Sequence, residues 1–533
     1  MPMERAGTAL PEDVEALQSL VVSLQQSHLE QQRRLDEQQA KITHQTTLID
    51  QLVAQIKLAR HKQFGASSES WSGDQMRLFN EAEAIVGESE ESESDTVEVS
   101  SHRRKRGGRK PLPDNLPRVE FVYELPESER VCPHDGSALQ VIGEAVLEQL
   151  DIIPAQIRVL RHIRKKYACG CCDRTIKTAT MPNQPIPKSR VSPGLLAYVV
   201  VNKFVDALPL YRQEQIFGRI GIGLWRANLA NWVIKAGQLV QPLINLMRDK
   251  VLDYDIIGID ETRVQILKEP GKTPQSQSYL WVQRGGPPEQ PLILYDYDPS
   301  RAQTVPQRLL AGYQGYLQTD GYAGYEAVGA QPEVIQVGCF AHARRKFDEA
   351  LKAQGKKKTG HAWRGFKLIQ KLYRIERQLT DAKPEARYQA RQEQARPVID
   401  KMRDWLNGAL IEVPPASLTG KALNYLNNQW PKLIRYLDDG RLRVDNNLVE
   451  NAIRPFVVGR KNFLFCDTVK GAQASANLYS LIETAKANRI DPNQYLRRVF
   501  ADLPNAHTVE DIEALLPYST ESDNTENIKI AVG

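Results

Sequence analysis

VLDYDIIGIDETRVQIL, residues 251–267, decides how this chain is read. The apolar run Ile256-Ile257-Gly258-Ile259, with Val264 and Ile266 beyond it, predicts a strand in a buried sheet. Asp260 interrupts that pattern, and a carboxylate is costly there unless it is paired or holds a metal. A second acid, Asp320, follows Gly315-Tyr316-Leu317-Gln318-Thr319 and opens a Gly-rich turn, Gly321-Tyr322. A third, Glu450, lies in Asp445-Asn446-Asn447-Leu448-Val449-Glu450, a short helix expected to end near Pro455. Two strand-borne Asp and one helix-borne Glu can hold a pair of Mg²⁺ ions, which activate a water or a hydroxyl for in-line attack on a phosphodiester. Against this stands a bland reading of each acid alone as a turn former or a helix cap, with Asp445-Asn446-Asn447 a plain N-cap cluster.

The neighbours of these acids suit nucleic acid. On a helix, Asn447, Glu450 and Arg454 share one face, so Asn447 could orient water or DNA and Arg454 a phosphate. Cys339-Phe340-Ala341-His342-Ala343-Arg344-Arg345-Lys346 follows a strand-like run and offers His342, Arg344 and Arg345 as a cation cluster. Gly459-Arg460-Lys461-Asn462-Phe463 joins Arg460 and Lys461 to a ring that could stack on an unpaired base. Each could equally be a solvated face. Cys339 with His342 as a metal pair is set aside, because no matching pair is visible nearby.

The chain has 533 residues, too many for one ordinary core, and 41% are hydrophobic, enough for several packed domains. Its formal charge of +5 is mild but unevenly spread. Residues 12–60 read as one helix without Gly or Pro, and a heptad runs through Leu17, Val21, Leu24, Leu35, Ile42, Ile49, Leu52 and Ile56. Polar His28, Gln31, Gln38 and Gln45 interrupt that seam; pairing of two or more copies through this coil is expected, against a solvated single helix. Residues 61–117 form a linker, acidic in GESEESESD and then basic in SHRRKRGGRKPLP. In the basic arm, Arg103, Arg104, Lys105, Arg106, Arg109 and Lys110 suit phosphates or a narrow minor groove.

Residues 118–180 hold short β-like runs, Val119–Tyr123 and Ile157–Ile163, around Cys132-Pro133-His134 and Cys169-Gly170-Cys171-Cys172. This is a zinc-ribbon-like pattern with Cys132, His134, Cys169 and Cys172 as candidate Zn²⁺ ligands, Cys171 in reserve and Asp135 where a second CxxC knuckle would place Cys. The alternative is a metal-free remnant ribbon. Cysteines so grouped fit a reducing compartment better than a disulfide framework. Residues 190–245 read as helical, and Leu210–Ile234 gives helix, turn at Gly221-Ile222-Gly223, and helix again from about Leu224, which is helix-turn-helix spacing. An ordinary helical hairpin would look the same. Residues 340–440 read as helical and charged, as does 474–516. There is no secretory signal pattern and no apolar run near the ~18 residues of a membrane span, so a cytoplasmic protein without a membrane contact is expected.

In order, FGASSE, GRKPLP, CPHDG, IPA, KYAC, DALPLYRQ, IDET, TDGYAGY, GCFAHARRKF and DNNLVENAIRP…GRKNFLF resemble the insertion-sequence-66 family of bacterial DDE transposases, over about residues 15–515. The resemblance implies a multidomain α/β protein. Its RNase H-like catalytic core would span 250–470, with a helical insertion at about 340–440 and a C-terminal helical region at 471–533. The family's catalytic acids fall on Asp260, Asp320 and Glu450, and two Mg²⁺ ions are their implied cofactors. DNA is the implied partner, as terminal inverted repeats and target, and small accessory proteins of the same element are further partners. Asn451 departs from the family's common Arg after the catalytic Glu. Cleavage and strand transfer in the bacterial nucleoid is therefore the expected function. Two other readings compete: a domesticated, non-catalytic zinc-containing DNA-binding regulator, whose signature would be a decayed acidic triad, and a coiled-coil adaptor, which explains only residues 12–60.

Overall fold

A computed structural model describes residues 13–64, 157–168, 176–355 and 359–518. The chain divides into two compact units, Glu88–Thr180 and the remainder. Within the larger unit, α1 (Val14–Phe64) is one unbroken helix, four residues longer at its end than predicted. Its heptad side chains Val21, Leu24, Leu35, Ile42, Ile49, Leu52 and Ile56 are exposed.

In the smaller unit, β1 (Lys166–Ala168) and β2 (Ile176–Thr178) form an antiparallel pair with Tyr167 opposite Lys177. The strand predicted over Ile157–Ile163 does not form: the run is irregular, and Ile157, Val159, Leu160 and Ile163 are exposed. β-branched residues favour a strand only where a partner supplies the ladder, and here pairing begins at Lys166. Cys132, His134, Cys169 and Cys172 lie outside the described residues, as do Val119–Tyr123 and the basic arm from Arg103 to Lys110.

Four helices lead into the sheet. Helix α2 (Pro193–Phe204) starts with Pro at its first position, and the Ser192 side chain accepts the Leu195 N–H. Helices α3 (Leu210–Arg219) and α4 (Arg226–Leu239) flank a turn in which Gly221 has φ +80°. The expected helix-turn-helix spacing is present, with α4 starting two residues later and running five further than predicted. Helix α4 buries Leu229, Trp232, Val233 and Ala236 and exposes Arg226, Asn228, Asn231 and Lys235. Helix α5 (Gln241–Leu252) then packs Leu243, Ile244, Met247 and Val251 into the main core.

The sheet is built from β3 (Ile256–Lys268), β4 (Gln277–Gly285), β5 (Leu292–Asp298), β6 (Gly315–Gln318) and β7 (Val334–Val337), in the order β5-β4-β3-β6-β7. The first three strands pair antiparallel, whereas β6 runs parallel to β3 and β7 parallel to β6. Between β5 and β6 lies the short α6 (Thr304–Leu309), and between β6 and β7 the single turn α7 (Glu326–Gly329). The predicted helical insertion follows β7 as α8 (Phe340–Ala353), α9 (Gly360–Gln378), α10 (Pro384–Ala390), a π turn at Arg391–Ala395, α11 (Arg396–Glu412) and α12 (Leu418–Leu433). These helices build a second core from Phe347, Ile369, Met402, Leu406, Leu423 and their neighbours.

Helix α13 (Asn447–Phe463) carries Glu450 and runs straight through Pro455, correcting the expectation that it ends there. Proline removes one hydrogen bond and crowds the preceding turn, at about 3 kcal/mol. Beyond it Phe456 and Val457 are fully buried, and burial of two such side chains offsets that at roughly 1.5–3 kcal/mol each. Strand β8 (Cys466–Thr468) then pairs with the far end of β3, and α14 (Val469–Ala487) follows, buried along almost its whole length. Ser480 and Thr484, one turn apart on α14, bond the outer backbone of β5: the Tyr295 N–H donates to Ser480 Oγ at 2.8 Å, and the Ile293 N–H to Thr484 Oγ1 at 3.0 Å. A helix thus covers a sheet edge that would otherwise expose unpaired backbone. Helices α15 (Pro492–Asp502) and α16 (Val509–Glu513) complete the C-terminal helical region. Among the described residues no helix is long and apolar enough to cross a membrane.

Candidate active site

The site starts from the register of two parallel strands. Gly258 of β3 pairs with Gln318 of β6, and two residues further along each chain come Asp260 and Asp320. Asp260 is within β3; Asp320 sits just past the end of β6, in the turn, where its Oδ1 accepts the Tyr322 N–H at 2.8 Å. Burial, and then the negative charges of Glu261 and Asp320, push the Asp260 carboxyl well above the usual carboxylate range. Burial also raises Asp320, opposed by the Tyr322 N–H and by Arg301, Arg345 and Lys432.

Glu261 had no role in the sequence reading and proves to be part of this acidic group. Its side chain is buried, bound to Arg301 at 2.5 Å and to the Tyr325 hydroxyl at 2.5 Å. Burial raises its carboxyl and Arg301 opposes the rise. The Arg301 guanidinium lies 3.9 Å over the Tyr322 ring, whose hydroxyl donates to the Arg301 carbonyl. The one signal in the sequence was a second acid beside Asp260. Nothing local announced that a cation forty positions later would meet it.

Glu450 reaches the site through the start of α13. Gly258 lets that helix approach: a Cβ there would fall 2.5 Å from Val449 Cγ2 and 3.0 Å from Asn446 Oδ1. Asn446 Nδ2 donates to the Ile259 carbonyl at 3.2 Å, and Arg284 donates to the Leu448 carbonyl at 3.1 Å. Asp445 accepts both the N–H and the side-chain amide of Asn447, but it stands one position before the N-cap, which is Asn446, so it braces the helix start and does not cap it as expected. Glu450 is buried, and its Oε1 lies 3.8 Å from His342 Nδ1. Among the described residues, one group of three metal-capable side chains has all its ligand atoms within 4.8 Å of one another: Cys339, His342 and Glu450. The pairing of Cys339 with His342, set aside from sequence, therefore gains Glu450 as a third member. Asp260, Asp320 and Glu450 are not drawn into a group that tight.

Comparison with known proteins gives the family of the chain. The family model described as "Transposase IS66 family" matches residues 188–474, more than half of the chain. The chain belongs to the IS66 transposase family. Three further models match: "Transposase C of IS166 homeodomain" over 51–121, "zinc-finger binding domain of transposase IS66" over 129–173, and "IS66 C-terminal element" over 480–518. The zinc-finger match contains Cys132, His134, Cys169 and Cys172. Two relatives from Sinorhizobium fredii (strain NBRC 101917 / NGR234) carry the names "Uncharacterized protein y4jD" and "Uncharacterized protein y4qI". The first is 34% identical over 77% of this chain and 82% of its own length. The second is 30% identical over 96% of this chain and 98% of its own.

In this IS66-family chain the cations expected to act together point different ways. Arg345 is near enough for its charge to act on Asp320, whereas Arg344 lies over the rings of Phe366 and Tyr373 in the insertion, and Lys346 over Tyr425. All three are half-buried: Arg344 turns to rings of the second core, whereas the Tyr425 ring under Lys346 carries its hydroxyl back to Gly321, beside Asp320. Phe463, expected to stack on a base, packs edge-on against Phe456 beneath Lys203. Leu464 and Phe465 are the exposed apolar residues there instead. Arg454, Arg460 and Lys461 are half-buried along α13, with Arg460 over the Phe456 ring.

Proposed function

We propose that this chain is a DDE-type transposase that binds the terminal inverted repeats of its element and catalyses DNA cleavage and strand transfer. The observation that carries the reading is the placement of Asp260 and Asp320 two residues past a paired position of adjacent parallel strands, with the Glu450 helix docked on the same stretch of β3. Three antiparallel strands followed by two parallel ones, in the order β5-β4-β3-β6-β7, support an RNase H-like core, and the helices from α8 to α12 support the insertion that separates Glu450 from it.

The donor set fits Mg²⁺. Asp260, Asp320 and Glu450 offer hard oxygen ligands; burial raises both aspartates, and the negative charges of Glu261 and Asp320 raise Asp260 further. When bound there, two such ions would supply Lewis acidity and an activated water or hydroxyl for in-line phosphoryl transfer. The residues do the rest: Asp260 on its strand and Asp320 in its turn fix two oxygen donors, Asn446 and Asp445 hold the helix that brings Glu450, and Glu261 with Arg301 fixes the wall beside them. The reaction is hydrolysis at the element end, which frees a 3′-hydroxyl, followed by attack of that hydroxyl on a target phosphodiester.

Recognition is assigned to the α3–α4 helix pair, the zinc-finger segment holding Zn²⁺ and the basic arm. The exposed seam of α1 would join two or more protomers so that both ends are held together. Such a protein works on DNA in the bacterial cytoplasm, with small proteins of the same element as helpers. The test is Asp260→Asn in end-binding and cleavage assays. Retained end binding with cleavage lost is expected; lost end binding would count against Asp260 as a purely catalytic group.

A further inference from the structure

Cys339, His342 and Glu450 are a metal-binding set of a different chemical kind from the carboxylates beside them. We propose that these three residues form a second metal site, selective for zinc-like borderline-soft ions, that shares Glu450 with the catalytic acids. Sharing rests on the reading of Glu450 given above; binding does not.

Cys339 caps α8 and His342 is its third residue, so the two side chains rise one turn apart on the same face. Glu450 comes to them from α13, and the three ligand atoms already lie within 4.8 Å of one another. Zinc at about 2.0–2.3 Å from each ligand sets tetrahedral separations of roughly 3.3–3.6 Å, so the set closes with a contraction of about 1 Å. Imidazole Nδ1 and carboxylate Oε1, at 3.8 Å, are close to that spacing.

The surroundings are pre-arranged. The Phe340 N–H donates to the Val444 carbonyl at 3.1 Å, and the Asn446 N–H donates to Cys339 Sγ at 3.3 Å, so both helix starts are tied together around the site. A hydrogen bond to a ligand atom is the kind of contact that orients metal ligands. Cys339 and Glu450 are buried, while His342 is partly exposed and gives an ion a way in. Three protein ligands of type S, N and O leave a fourth position for water. Mg²⁺ takes oxygen and avoids thiolate, so it does not compete for Cys339 and His342. An ion held here occupies the carboxylate that Mg²⁺ chemistry needs, and zinc thereby restrains the transposase.

The probe is Co²⁺, titrated into the full-length chain and into Cys339→Ser, His342→Ala and Glu450→Gln, each checked for folding by circular dichroism. The zinc-finger cysteines are common to all four proteins. The wild type is expected to take up one equivalent more than any variant, with a thiolate-to-cobalt charge-transfer increment that Cys339→Ser removes. Equal uptake and equal spectra in the wild type and the folded variants would overturn the site. If Cys339→Ser fails to fold, His342→Ala, which lies outside the catalytic acids, decides: unchanged Co²⁺ uptake in that protein overturns the proposal. In a second arm, Zn²⁺ is added to Mg²⁺-dependent cleavage, with each protein's zinc-free rate as its own reference. Inhibition of the wild type and resistance of Cys339→Ser support the shared ligand, and equal inhibition of both overturns it. Should neither protein cleave DNA, the transposase reading is at fault, while Co²⁺ uptake still judges the site.

Discussion

Asp260 shows how a residue can be set against its own fold. Burial raises its carboxyl and those of Glu261 and Asp320, and at Asp260 the negative charges of the other two add to the rise. A raised carboxyl binds its proton more tightly folded than unfolded, so stability is greatest below the ordinary carboxylate range and falls as pH rises through the raised values. The metal-free protein is therefore expected to melt at a lower temperature at pH 7 than near pH 5. Asp260→Asn should flatten that slope and raise the melting temperature at pH 7, while removing catalysis. Added Mg²⁺ should stabilise the wild type, by about 2.7 kcal/mol at a hundred times its dissociation constant, and Asp260→Asn much less; thermal melts across pH, with and without Mg²⁺, check this. Asp260 was legible because a charge in an apolar strand is conspicuous. Arg301 and Tyr325 were not, since they meet Glu261 only once the chain is folded. Cys339 and His342 were visible as a pair, but their third member lies beyond the whole helical insertion.

At the level of elements, the contact between β3 and α13 decides whether Glu450 is in place. Gly258→Ala puts a methyl against Val449 and Asn446. Overpacking of this kind costs about 1–3 kcal/mol, and the displaced helix should lower cleavage far more than end binding. Parallel denaturation and cleavage measurements would show it, and unchanged cleavage would mean that α13 has room to spare. Arg391 is a second positioning element, fully buried in the π turn of the insertion. It binds Glu376 and donates to the carbonyls of Tyr436, Asp439 and Leu442, in the segment that leads into α13. Arg391→Met leaves Glu376 and three carbonyls without this donor and should cost about 3–5 kcal/mol, read by chemical denaturation. Periodicity announced the β3 strand and the helical character of residues 340–440, and turn residues announced the helix pair at α3–α4; that 340–440 is an insertion came from the family resemblance. Pro455 misled because local propensity was outweighed by burial on either side of it. The run Ile157–Ile163 misled because a strand needs a partner that the local sequence does not reveal.

At the scale of the whole molecule, the apolar seam of α1 is exposed among the described residues, as the proposed pairing of protomers requires. The seam residues were legible as a heptad, and their exposure fits a partner copy. Ile42→Lys with Ile49→Lys should shift the protein to monomer in sedimentation while leaving the melting of the sheet core unchanged; an unaltered sedimentation coefficient would place the oligomer contact elsewhere. Fold, family and the three acids all point to phosphoryl transfer on DNA, and that is the claim to test first. The most direct measurement is Mg²⁺-dependent cleavage and strand transfer on DNA that flanks the native gene, scanned for inverted repeats. Wild type would be run beside Glu450→Gln, with neighbouring small reading frames supplied. Products at the repeat ends from the wild type alone are predicted; equal cleavage by both proteins would contradict the assignment of Glu450, and binding without products from either would contradict the enzyme itself.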